Sequence, residues 1–187
     1  VLFVLLTTGC KAVPESVRPL QANGSTICTT FSINEAEGLW LTAQHCILFA
    51  EFNALRLSIN YEPVTVMYRS LEEEDVVVLQ AETHAPALWL AAVDPPRDHP
   101  IQVLGYPYGL LRLVSTHGTI AARAVPIPGR AVSDILDITG APGNSGSPVI
   151  GENGVVGMIW GHFYNSPHAL SVPCETLRRL VGAYWEH

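Results

Sequence analysis

Short runs of apolar and β-branched residues, separated by polar and turn residues, recur along most of the chain, as expected of strands. Such runs cover 25–31, 39–42, 55–59, 64–68 and 76–80, and then 101–104, 111–115, 119–125, 135–139, 148–150, 155–160 and 169–172. Between the two groups lies 91–100, which holds Pro95, Pro96 and Pro100. Proline cannot donate to a sheet ladder, so this stretch is expected to be a connector. Only at the end does a helical period appear: Leu177, Leu180, Val181 and Tyr184 follow Pro173 at helical spacing over 175–184. No earlier helix is expected. The pattern predicts an all-β fold of two packed six-stranded Greek-key-type barrels with a C-terminal helix. Lobe one spans about 24–92, lobe two 101–172 and the helix 174–185.

The first ten residues, Val1 to Cys10, are almost wholly apolar. They are too few to span a bilayer as a helix but match the hydrophobic part of a secretion signal. With no initiator Met and no basic region before them, the signal is expected to be truncated. Leu6-Thr7-Thr8-Gly9-Cys10 resembles a bacterial lipobox, with Thr7 where leucine is usual, and makes Cys10 a lipidation candidate. Residues 11–23 then read as a polar tether; the alternative is an N-terminal strand with an incidental cysteine. The expected setting is a secreted, periplasmic or cell-surface protein, with lipid on Cys10 as the candidate membrane attachment.

Composition narrows the partners. Of 187 residues 48% are hydrophobic and 14% charged, which favours a packed globule over disorder. The net charge is −7, and Lys11 with nine scattered arginines offers no basic stripe, so nucleic acid is not expected as a partner. Four cysteines in an exported chain invite pairing. If Cys10 carries lipid, Cys28, Cys46 and Cys174 remain; a Cys10–Cys174 bridge is the open alternative.

Candidate chemistry centres on Gly140-Ala141-Pro142-Gly143-Asn144-Ser145-Gly146-Ser147-Pro148. Gly143 and Gly146 permit sharp turns on either side of Ser145, and Pro142 steadies the approach. Such a loop can present one hydroxyl while backbone N–H groups converge on a point, as oxyanion stabilisation requires. An ordinary surface turn has the same composition, so a base and an acid elsewhere decide between them. Thr42-Ala43-Gln44-His45-Cys46 ends a strand in a histidine, and Asp75 directly precedes Val76-Val77-Val78-Leu79.

In that order these three segments resemble the motifs of the chymotrypsin/trypsin-like serine proteases, closest to bacterial HtrA-type and glutamyl-endopeptidase-type members. Val103-Leu104-Gly105-Tyr106-Pro107-Tyr108-Gly109 and Val155-Val156-Gly157-Met158-Ile159-Trp160-Gly161 extend the likeness. The resemblance implies a serine endopeptidase that forms an acyl-enzyme on Ser145, with His45 as general base and acid and Asp75 orienting His45. It implies an oxyanion hole in Gly143-Asn144-Ser145 and a Cys28–Cys46 disulfide. It places Thr139 at the base of the specificity pocket, Gly140 beside it where glutamyl endopeptidases carry a threonine, and Ile159, Trp160 and Gly161 as one wall. Protein or peptide substrates are expected, with no metal and no organic cofactor. Asn144 stands where digestive members carry an aspartate that pairs with a freed N-terminus, so activation by that ion pair is not expected. Thr139 is uncharged, which disfavours Arg or Lys and points to a small or medium apolar side chain; His162 and His168 are further candidates for the cleft. A catalytically silent binding module and a phage- or virus-type processing protease are the competing readings.

Overall fold

The computed structural model describes residues 15–185. Val1 to Cys10, and with them the lipidation candidate, lie outside the described residues. Thirteen strands and two helices follow in this span. The first lobe comprises β1 (Val17–Ala22), β2 (Ser25–Asn34), β3 (Leu39–Ala43), helix α1 (Gln44–Phe52), β4 (Leu57–Ile59), β5 (Glu62–Pro63), β6 (Thr65–Arg69) and β7 (Val76–Gln80). The second comprises β8 (Pro100–Gly105), a 3₁₀ turn (Pro107–Gly109), β9 (Val114–Val125), β10 (Ser133–Leu136), β11 (Pro148–Gly151), β12 (Gly154–His162), β13 (Ala169–Pro173) and helix α2 (Cys174–Trp185).

The expected two-lobe β architecture is present, but the lobes close differently. The second is a closed six-stranded barrel in the order β10-β13-β12-β11-β8-β9. The first is a seven-stranded sheet, β5-β4-β1-β2-β3-β7-β6, whose ends do not pair, so it forms a half-barrel. Val17, Phe31, Trp40, Leu41, Val78 and Leu79 are fully or almost fully buried and share one core with Leu104, Met158, Leu177 and Leu180 of the second lobe and α2. One continuous core thus sets the relative placement of the strands that carry the site.

Three departures from the sequence reading have physical causes. Residues 17–22 of the expected tether form β1, paired with β2 and β4. Pro19 is tolerated because β4 begins to pair only at Leu20, so the side that lacks an N–H faces no partner. Helix α1 was not expected, because Ile47, Leu48, Phe49, Ala50 and Phe52 are apolar almost all round and hide the helical period. Ile47 and Ala50 are buried, whereas Phe49 and Phe52 stand out to solvent. Finally, the expected runs 111–115 and 119–125 merge into the single strand β9. Gly118 lies within it because a side chain there would meet the Asp137 carbonyl at 2.3 Å.

Candidate active site

Strand pairing brings His45 and Asp75 together. β3 runs against β7 from Leu39↔Gln80 to Ala43↔Val76, so the next residues beyond the ladder are Gln44 and His45 on one chain and Asp75 on the other. The Gln44 N–H donates to the Asp75 carbonyl (3.1 Å), and the His45 N–H to Asp75 Oδ1 (2.8 Å). These bonds hold Asp75 in a left-handed conformation (φ +58°) that aspartate tolerates better than most residues. The carboxylate is almost fully buried, and its Oδ2 lies 2.6 Å from His45 Nδ1. A carboxylate accepts only, so the neutral ring carries its proton on Nδ1 and leaves Nε2 as an acceptor. Nε2 is 3.0 Å from Ser145 Oγ. An unbroken chain of hydrogen bonds therefore runs from hydroxyl to imidazole to carboxylate.

The nucleophile loop is fixed by contacts to both lobes. The Thr29 N–H on β2 donates to the Ser145 carbonyl (2.8 Å), and the Gly146 N–H to the Ile159 carbonyl (2.7 Å). Gly146 adopts φ +84°, and a Cβ there would fall 2.0 Å from the Thr29 carbonyl, so glycine is required twice over. Just upstream, Ala141-Pro142-Gly143-Asn144 is a tight turn closed by the Asn144 N–H on the Ala141 carbonyl (3.1 Å). Pro142 followed by Gly143 at φ +91° is the type II pattern. The N–H groups of Gly143 and Ser145 have no hydrogen-bond partner among the described residues. The Asn144 N–H, by contrast, is consumed in the turn and so does not belong to an oxyanion hole.

The cleft in front of Ser145 is about 550 Å³ and mostly apolar. Ala141, Pro142, Gly143, Ile159, Trp160, Gly161 and His162 line one side, and Ile27, the Cys28–Cys46 disulfide and Phe49 the other. Ile159, Trp160 and Gly161 line this cleft, whereas Thr139 and Gly140 are not among its lining residues. β10 ends at Leu136, which leaves Thr139 on the exposed surface, and the His162 side chain packs against Gly140. His168 is also outside the cleft, hydrogen-bonded to Ser166 and 4.0 Å from Asp137.

Other contributors had no sequence signature. Arg130, from the loop before β10, stacks 5.0 Å over the Trp160 ring and lies 3.9 Å from Asp75 Oδ2. Trp160 is steadied by its Nε1–H donating to Ser133 Oγ (3.0 Å). Phe49 follows His45 by one helical turn and so shares its face of α1.

Cys28 and Cys46 form the expected disulfide, across 18 residues of sequence, and tie α1 to β2 beside His45. Replacing both by serine is expected to cost roughly 3 kcal/mol of stability, read from the denaturant midpoint, because the unfolded chain regains the loop entropy. Cys174 is free and buried; burial pushes its thiol up to about 11, so it is no competing nucleophile at neutral pH.

Comparison with known proteins agrees with this fold. The chain shares its fold with an alanine mutant of Rv3671c from M. tuberculosis H37Rv in an inactive form (TM-score 0.76, 18% identity, covering 94% of this chain and 89% of that one). Deg5 aligns with a TM-score of 0.75 and 18% identity over 91% of this chain and 89% of its own. The HtrA-type protease AlgW with a decapeptide gives 0.76 and 16% over 94% of this chain and 66% of its own. No curated protein sequence matches. The family model of the trypsin-like peptidase domain matches residues 28–158, which is most of the chain and includes the His45, Asp75 and Ser145 segments. The chain therefore belongs to the trypsin-like peptidase domain family and is a serine endopeptidase of that kind.

Proposed function

We propose that the protein hydrolyses peptide bonds through an acyl-enzyme on Ser145. The observation that carries this reading is the relay itself, with contacts of 2.6 Å and 3.0 Å on the two sides of one imidazole. In the first step Ser145 Oγ attacks the scissile carbonyl while His45 Nε2 takes its proton. Asp75, which stays ionised, stabilises the imidazolium and keeps the Nδ1 proton in place. The oxyanion that forms is met by the N–H groups of Gly143 and Ser145. His45 then gives its proton to the leaving amine, and water repeats the sequence to release the acid.

The leaving amine must lie beside His45, so residues after the scissile bond face Phe49, Ile27 and the disulfide. Those before it face Ile159, Trp160 and Gly161. Both walls are neutral and apolar, which supports a preference for small or medium apolar side chains in polypeptide substrates. The Cys28–Cys46 disulfide suits an oxidising compartment and supports an exported enzyme.

Cleavage of a mixed peptide library by wild type and by Ser145→Ala tests the proposal. Cuts next to apolar residues are expected with wild type only; the same cuts from purified Ser145→Ala would rule out this chemistry.

A further inference from the structure

The turn that carries the Gly143 N–H makes no ion pair among the described residues, yet each of its two peptide planes is held from outside. The Pro142 carbonyl accepts the Tyr108 N–H at 2.6 Å. In a trans peptide C=O and N–H point in opposite directions, so this bond turns the Gly143 N–H away from Tyr108. The next plane is held by a side chain: Thr29 Oγ1 donates to the Gly143 carbonyl at 2.9 Å. The same oxygen accepts the Tyr106 N–H at 3.0 Å, so its hydrogen is committed to Gly143. Thr29 is fully buried, and its own N–H holds the Ser145 carbonyl at 2.8 Å. One residue of the first lobe thus grips both sides of the turn that presents two N–H donors, and a Cβ at Gly143 would strike the Tyr106 carbonyl at 2.4 Å.

We propose that Thr29 is a positioning residue for the oxyanion turn: its hydroxyl fixes the Gly143–Asn144 peptide, the plane between the two that carry the donor N–H groups of Gly143 and Ser145, and so keeps both donors aimed at the reacting carbonyl. A rotation of this middle plane would lose the Thr29 bond and turn the donor planes on either side of it. The donor is therefore oriented before substrate arrives, and no charge has to be brought to the turn. The proposal rests on the reading of Ser145 as nucleophile.

Thr29→Val keeps the shape and removes the hydroxyl. Mispointing one oxyanion donor is expected to lower kcat about 10²-fold, with KM changed less than about twofold. Affinity for a peptide aldehyde, which forms a hemiacetal oxyanion on Ser145, should fall in parallel with kcat, while a product peptide binds as before. Thr29→Ser should keep kcat within about threefold of wild type. If Thr29→Val does not fold, Thr29→Ser against Thr29→Ala makes the same comparison, since that pair differs by the hydroxyl alone. Unchanged kcat in folded Thr29→Val, or equal losses in the serine and alanine variants, would overturn the assignment while leaving Ser145 as nucleophile. A wild type that neither cleaves peptides nor binds the aldehyde would overturn both.

Discussion

His45→Ala is expected to lower kcat by about 10⁶-fold, with the fold intact and a much smaller change in KM. Without the imidazole, the Ser145 hydroxyl has no acceptor for its proton: its other close neighbour, the Trp160 carbonyl at 3.5 Å, is no base. The leaving amine likewise loses its acid. Nucleophile and base act as a unit, so adding Ser145→Ala to His45→Ala should cost almost nothing more. The residual rate over water would come from the oxyanion donors and from binding in the cleft. His45 is about 39% exposed at the side chain, so its truncation leaves little cavity. Steady-state kinetics on a cleaved library peptide, with thermal unfolding as the control, check this. A loss below about 10²-fold would mean that another group takes the proton.

Asp75→Asn carries the second largest expectation, a fall in kcat of about 10⁴-fold. Asparagine tolerates the left-handed backbone at this position and can still accept the His45 N–H, so the fold should hold. What changes is the tautomer. An amide NH₂ turned towards Nδ1 favours the ring with its proton on Nε2, which then faces Ser145 as a donor rather than a base. The charge that stabilises the imidazolium is lost as well. The Arg130 guanidinium, 3.9 Å from the carboxylate, would then face a neutral amide and add to the cost of forming that cation. A full kcat in folded Asp75→Asn would show that the buried carboxylate plays no part in turnover.

The segments that carry the relay were legible because each combines a short motif with a strand signal. Strong β patterning in 39–42 and 76–80 put His45 and Asp75 at strand ends, and antiparallel pairing of those strands made them neighbours. The glycines around Ser145 were readable because positive φ at Gly143 and Gly146 leaves few other choices. What could not be read was set by contacts between distant residues. Thr29 lies 114 residues from Gly143, and Arg130 reaches Trp160 in its own lobe and Asp75 across the interface of the lobes without any spacing to mark it. Thr139 follows the end of β10 at Leu136 by three residues and is exposed, an outcome that a count back from Ser145 does not carry. β1 was obscured by Pro19, whose harmlessness depends on where β4 begins to pair.

Turnover by this route requires Ser145 to be an activated nucleophile. The most direct measurement is the mass of the intact protein after exposure to a fluorophosphonate, with the modified peptide sequenced. One phosphonyl group on Ser145 Oγ, absent in His45→Ala, is the predicted result. Folded wild type that stays unmodified, or carries the label on another residue, would contradict it.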